Sequence, residues 1–460
     1  MNFLEKIVKE KRREVERAKI ERPLGSFRSK LRKSSLSFRN ALKKKGIALI
    51  AEVKVASPSR GTIRENFNLK ETLKLYNDYA DAISIITDRK FFKGSLDYLK
   101  EASVLAKKPL LRKDFIIDEY QLFESRLFGA DAVLFIANIL SAEKIDDFIK
   151  TAKSLGMDCL VEADSLQGMK KILGTKAEII GINNRSLSSF KMDSGKTGKL
   201  ARVIPRGKRK KIVLVAESGF STRESIEGVK GVADSVLIGT AIMEFPCIRT
   251  KLRELSGKTL VKVCGITNEK DAVNAVKLGA DFVGINFYRK SPRYVNPFDA
   301  SKLVKKLNGK AVVVGVFVNE APKNVKDVAR KCGLDMLQFS GNESEKYVKQ
   351  FGFPSVKAFH VEGAKSLEEA ANSSADFILL DSFVSGKFGG TGKTFNHKLL
   401  NGTDFKGKRV FISGGITPKN VVGVLKKFRP FAVDVASGVE SRPGKKSFSK
   451  VRELIRKVSA

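Results

Sequence analysis

At 460 residues the chain is long enough for two or more domains, and a hydrophobic content of 42% supplies their cores. Two histidines, His360 and His397, exclude by count a pair of His-based triads or a His-rich metal centre, so acid–base work falls to Lys, Glu, Asp or Cys. The net charge of +37 suits anionic substrates and equally suits nucleic acid, but no aromatic stacking signature interleaves the basic runs, so a host-wide lysine bias is read first. No apolar run reaches membrane-spanning length and no signal-peptide pattern opens the chain. Cys159, Cys247, Cys264 and Cys332 show no C-x-x-C pairing, which argues against a disulfide framework or zinc site and for a cytoplasmic protein.

Residues 1–46 read as a helical preamble interrupted near Pro23 and Gly25. Its densest basic run has helical apolar spacing (Phe3, Leu4, Ile7, Val8, Val15) with interleaved Glu, which predicts a solvated amphipathic helix. From ALIAEVK (48–54) a regular alternation begins. Apolar strands follow at 82–88, 109–114, 131–137, 158–163, 178–184, 212–218 and 234–240, with helical segments such as LKETLKLYNDYA and AEKIDDFIKTAKSLG between them. Eight near-continuous apolar strands predict a parallel sheet buried on both faces, closed as a barrel. Its C-terminal strand ends carry Glu52, Lys54, Lys113, Glu162, Asn183, Arg185 and Glu217. One or two such groups could be ion pairs that merely staple the mouth. This many, on five strand ends, must pair or bind something, because unpaired charges there are costly.

One pattern occurs twice, at Lys211–Thr240 and at Arg409–Gly438. Each copy is an apolar β-branched run, a Ser-Gly turn, an amphipathic run opening with Thr, and a second apolar run ending in Gly-Thr or Ser-Gly. Unpaired backbone N–H groups at such turns attract an anion, and glycine lets a phosphate approach. A single copy would be an ordinary βα turn. Two copies, each closing about 200 residues of alternating strand and helix, predict two phosphate-binding barrels in tandem.

The motifs IAEVKVASPSRG, LLRKDFIIDEYQL, GADAVLFIANIL, LVEAD, IGINNRSL, AESGFST and VLIGTAIM resemble indole-3-glycerol phosphate synthase in order, across nearly all of residues 1–255. The resemblance implies that Lys113 is the general acid in ring closure and Glu162 the general base in dehydration. Glu52 and Lys54 would position substrate and stabilise charge, with Lys54 near the departing carboxylate. Asn183, Arg185, Glu217 and Ser218 would complete the polar lining, and Phe92 and Phe115 would sandwich the anthranilate ring. Ser57, Gly219, Gly239 and Thr240 would hold the phosphate. Thr240 stands where serine or glutamate is common.

Residues 241–258 read as the helix that closes the first barrel, with a boundary at Ser256-Gly257. Strands then follow at 259–265, 281–287, 310–319, 335–339, 355–361, 376–382, 409–415 and 431–437, again eight. The glycine-rich loop GKFGGTGKTF (386–395) lacks P-loop spacing and is expected to be a lid over the mouth. VKVCGIT, GADFVGINFYRKSPRYV, FILLDS, ISGGITPKNV and DVASGVESRPGKK resemble phosphoribosylanthranilate isomerase across roughly 258–460. The resemblance implies Cys264 as general base and Asp381 as general acid in an Amadori rearrangement. Arg293 would grip the anthranilate carboxylate, and Gly414, Gly415, Ser437 and Gly438 would hold the phosphate. Ser340 replaces a histidine of the family pattern, Asn396-His397 replaces Asp-Trp, and Ala436 replaces a serine. A free cysteine is more often a small buried hydrophobe, but Cys264 ends a strand beside Lys262 and opposite Asp381.

The expectation is therefore an α/β protein of two tandem (β/α)8 TIM barrels, 1–256 and 257–460, the first with an extra N-terminal helical segment. It would run two consecutive steps of tryptophan biosynthesis on small phosphate esters. It would need no cofactor or metal and would engage no membrane and no nucleic acid, as a cytoplasmic monomer.

Overall fold

The computed structural model describes residues 2–65, 67–186, 189, 191–382 and 403–460. They form two compact units, Met1–Ile248 and Arg249–Ala460, each built on a closed barrel of eight parallel strands. The loop 386–395 and Asn396-His397 lie outside the described residues.

In the first unit the helix α1 (Phe3–Glu21) is opened by an Asn2–Glu5 capping box. It buries Leu4, Ile7 and Val15, the face its apolar spacing predicts, and it also buries Lys11. A short helix, α2 (Phe38–Leu42), follows. The barrel strands are β1 (Ala48–Val53), β2 (Ala82–Ile86), β3 (Leu110–Lys113), β4 (Ala132–Ile136), β5 (Asp158–Ala163), β6 (Ile179–Asn183), β7 (Val213–Glu217) and β8 (Ser235–Ile238). A four-residue helix, α3 (Arg89–Phe92), follows β2. β1 closes the ring by pairing with both β8 and β2.

Successive strand residues point to opposite faces, so every second residue faces the barrel axis. Ile50, Leu111, Leu160 and Val215 share one interior cluster with Phe38 and Leu42. Two positions further on, along the same face of each strand, stand Glu52, Lys113, Glu162 and Glu217. The period that packs the core thus presents the polar groups at the C-terminal mouth.

The second unit opens with helix α4 (Ile248–Leu255). Its Arg249 Nη2 donates to Ala280 O at 2.6 Å, Thr250 Oγ1 donates to Asp281 O at 3.2 Å, and Arg253 Nε lies 3.2 Å from Asp281 Oδ1. The division between the compact units falls within this helix, between Ile248 and Arg249. The strands are β9 (Leu260–Cys264), β10 (Phe282–Asn286), β11 (Val312–Phe317), β12 (Met336–Phe339), β13 (Ser355–Val361), β14 (Phe377–Ser382), β15 (Arg409–Ile412) and β16 (Ala432–Val435).

This barrel is filled in layers. Phe282, Phe377, Phe411 and Phe431 pack ring against ring at centroid distances of 5.2–6.0 Å. Lys262 forms a polar layer with its Nζ 2.7 Å from Gln338 Oε1 and 2.9 Å from Asp434 Oδ2. Cys264, two residues beyond Lys262, and Asp381, four beyond Phe377, share the inward face nearer the mouth.

Candidate active sites

A cavity of about 410 Å³ occupies the mouth of the first barrel. Glu52, Lys54, Lys113, Glu162, Asn183 and Glu217 all line it. So do Ser57, Phe92, Phe115 and Arg185, and the turn residues Ser218, Gly219, Gly239 and Thr240. The structure thus gathers every residue singled out in the first half into one concavity.

Lys113 is the hub. Its Nζ lies 3.1 Å from Glu162 Oε2 and 3.1 Å from Glu217 Oε2. Asn183 Nδ2 donates to the other Glu162 oxygen at 2.9 Å. Burial alone would depress the Lys113 ammonium, but Glu162, Glu217 and Glu52 outweigh it and raise its pKa above the ordinary lysine value. Lys54 behaves oppositely. Burial, with the charges of Lys113 and Arg185, lowers its pKa despite Glu52 at 3.7 Å. Two carboxylates against one ammonium divide in the same way. Burial and the charge of Glu162 push Glu217 upward, whereas Lys113 and the Asn183 hydrogen bond hold Glu162 below the usual value against its burial. The cavity therefore holds a carboxyl pair whose two members are pushed apart in proton affinity, and two lysines shifted in opposite directions.

The aromatic pair lines the same cavity. Phe92 and Phe115 lie 6.1 Å apart between centroids at 36°, with the Lys54 ammonium 5.8 Å from the Phe92 ring. The turn after β7 is left-handed at both Ser218 (φ 65°) and Gly219 (φ 88°), a conformation that suits the glycine and strains the serine. On β8's exit, Gly239 has a second reason to be glycine, because a Cβ there would lie 2.4 Å from Glu52 Oε1.

In the second barrel Cys264 ends β9 directly above the Lys262–Asp434 pair. Burial pushes its thiol up, while the charges of Lys262 and Lys446 act against that rise without cancelling it. The cations that a thiolate base requires are present, yet the resting group is the thiol. Asp381, on β14, lies in register with His360 of β13. Arg293 is engaged on its own side of the mouth: Nε and Nη2 donate to Glu440 at 2.9 and 2.7 Å. A Cβ on Gly265 would meet the Arg293 side chain at 2.3 Å, which places this arginine on the turn that follows Cys264. The turn after β15 is left-handed at Gly414 (φ 81°) and Gly415 (φ 63°). Ser437 and Gly438 open the turn after β16, where a Cβ on Gly438 would lie 1.9 Å from Ile416 O.

Several further groups stand at these mouths, and Asp114, Arg60 and Lys446 lie inside motifs already quoted, although no role attaches to them there. Asp88 and Asp114 line the first cavity, and Met192 and Arg60 reach it from loops. In the second barrel, Lys446 is buried with its Nζ 2.8 Å from Glu440 Oε1. Lys262, inside VKVCGIT, is a charge in the middle of a strand whose neighbours are apolar. Ser340 accepts a hydrogen bond from Gln338 Nε2 at 3.0 Å, so the serine joins the polar layer around Lys262. Among the described residues, no group of three or more His, Cys, Asp or Glu is placed to hold a metal ion, and no helix is long and apolar enough to cross a membrane.

Residues 4–255 match the protein family described as indole-3-glycerol phosphate synthase, and residues 261–457 match the N-(5'-phosphoribosyl)anthranilate isomerase family. The tryptophan biosynthesis protein TrpCF of Vibrio cholerae is 34% identical, over 99% of this chain and 95% of its own. The protein of the same name from Buchnera aphidicola is 32% identical, over 99% of this chain and 98% of its own. Among solved structures, phosphoribosyl anthranilate isomerase from Thermotoga maritima is 38% identical over 44% of this chain and 98% of that one, with a TM-score of 0.42.

Proposed function

The chain belongs to the family of two-domain tryptophan-biosynthesis enzymes that join an indole-3-glycerol phosphate synthase to a phosphoribosylanthranilate isomerase, and we propose how its two barrel mouths divide the work. The second barrel isomerises N-(5-phosphoribosyl)anthranilate to 1-(2-carboxyphenylamino)-1-deoxyribulose 5-phosphate. The first barrel closes the indole ring of that product, with loss of CO2 and water, to give indole-3-glycerol phosphate.

In the isomerase, Asp381 gives a proton to the ribose ring oxygen as the ring opens to a Schiff base. Cys264 takes the proton from the adjacent C–H, and the enamine that forms becomes the aminoketose. The thiol must first lose its own proton, and the ammonium groups of Lys262 and Lys446 support the thiolate once formed. Arg293, oriented by Glu440, receives the anthranilate carboxylate. Gly414, Gly415, Ser437 and Gly438 receive the phosphate.

In the synthase, the anthranilate ring enters between Phe92 and Phe115, and the phosphate meets Ser57, Gly219, Gly239 and Thr240. Lys54 faces the carboxylate that leaves as CO2. Lys113 protonates the ketone oxygen as the carbon–carbon bond forms, and Glu162 removes the ring proton during dehydration. Glu52, Asn183, Arg185, Glu217 and Ser218 orient these groups. The observation that carries this reading is the Lys113 ammonium bridging Glu162 and Glu217 inside a cavity lined by the aromatic pair and both glycine turns.

A cytoplasmic monomer that engages small phosphate esters and no nucleic acid belongs to the same proposal, supported by four free cysteines, three of them buried. Steady-state turnover of phosphoribosylanthranilate, followed by its fluorescence with indole-glycerol phosphate assayed as end product, tests the reading. Consumption of the first without appearance of the second would leave the synthase roles unsupported.

A further inference from the structure

Lys11 sits in the apolar stripe of α1, between Ile7 and Val15, where a leucine would complete the seam. It is 3% exposed, and its Nζ lies 2.6 Å from Glu14 Oε2, 3.1 Å from Asp88 Oδ2 and 2.9 Å from Asp114 Oδ1. A buried ion cluster is weak evidence for stability, because apolar side chains of similar volume serve as well or better. What matters is where the two aspartates sit.

Asp88 caps α3, its Oδ1 accepting from the backbone N–H of Phe91 at 2.8 Å and of Phe92 at 3.2 Å. Asp114 directly follows Lys113, and its Oδ1 accepts from the Phe115 N–H at 2.8 Å. Its other oxygen takes Thr87 Oγ1 at 2.6 Å and Arg112 Nη2 at 3.0 Å. Both aspartates line the cavity. One holds the segment that carries Phe92, the other the segment that carries Lys113 and Phe115. Arg112 stays on Asp114, but without Lys11 no cation joins the two carboxylates, and their repulsion would shift Phe92 relative to Phe115.

We infer that Lys11 is a positioning residue of the synthase: by binding Asp88 and Asp114 together it sets the spacing of Phe92 and Phe115. The inference rests on the assignment of those aromatics and Lys113 to the synthase site. A helix outside the barrel thereby acts on the substrate slot without touching substrate.

The test is synthase kinetics of the full chain with carboxyphenylamino-deoxyribulose phosphate supplied. Lys11→Met keeps the packed stem and removes the charge. It should raise KM about tenfold, the scale of one lost aromatic contact, with a smaller change in kcat. Lys11→Arg, which keeps the charge, should bring KM most of the way back. A purely structural lysine would lower the melting temperature or the active fraction and leave KM alone, and an unchanged KM in Lys11→Met overturns the inference. If Lys11→Met abolishes the melting transition of the first unit, Lys11→Gln takes its place, since glutamine keeps a polar end in the buried site but carries no charge. A raised KM there supports the inference and an unchanged one overturns it. Lys113→Met run alongside separates the failures, because normal synthase turnover in that variant would remove the site assignment itself.

Discussion

Gly284 stands beside Cys264 in the register of β10 against β9, and a Cβ on it would lie 2.6 Å from the Cys264 sulfur. The first barrel repeats the relation. A Cβ on Gly181 would lie 2.4 Å from Glu217 Oε1, as one on Gly239 would from Glu52. In each case a charged or nucleophilic side chain occupies room that a glycine on a neighbouring strand leaves open. Gly284→Ala should therefore displace the thiol and lower isomerase kcat by about 10²-fold, part of the 10²–10⁴ that a positioned base supplies. Synthase turnover of supplied intermediate should not change. Near-normal isomerase activity would show that the thiol does not depend on that space.

The two lysines of the first cavity make opposite predictions for pH. An acid must be protonated to act, so activity falls as pH rises through its pKa. Lys54 is lowered from 10.5 and Lys113 raised from the same value. The alkaline limb of synthase kcat/KM should thus lie below 10.5 and belong to Lys54. Lys54→Arg should move that limb upward. A limb that stays in place in the variant would assign it elsewhere.

Much of this was legible in the sequence, and the reasons are local. Apolar strands of uniform length, eight in each half, announce a barrel, and the period of two then fixes that Glu52, Lys113, Glu162 and Glu217 face inward. The rise of the Lys113 pKa is not legible there, because it depends on which carboxylates lie across the barrel, and no spacing within one strand reveals that. Arg293 likewise reads as a free grip in SPRY, while its Glu440 partner is 147 residues away. Lys11 looked like one more solvated charge on a basic helix. Its burial is set by Asp88 and Asp114, which lie just past β2 and β3 and far from α1 in the sequence.

Cutting the chain should yield two working halves, with the cut placed before α4. A fragment from Arg249 keeps Thr250 and Arg253 on Asp281, a buried carboxyl that burial pushes up to about 6. A fragment from Gly257 loses them and should be less stable by about 2 kcal/mol, a discounted value for stripping the partner from a buried charge. Equal urea midpoints for the two fragments would show that α4 contributes nothing to the second barrel.

The charge of +37 should act through steering alone. Synthase and isomerase kcat/KM should fall modestly with added salt, and purified protein should carry little RNA. Retained RNA whose affinity drops steeply with salt would point instead to a nucleic-acid surface.

The central claim is that one chain carries two independent acid–base sites for consecutive reactions, and reciprocal variants test it most directly. In the full chain, Cys264→Ala should cut isomerase kcat by about 10²–10⁴-fold while synthase turnover of supplied intermediate stays normal. Lys113→Met should abolish indole-glycerol phosphate formation while phosphoribosylanthranilate is still consumed at the normal rate. An isomerase that tolerates Cys264→Ala, or a synthase that tolerates Lys113→Met, would contradict the account.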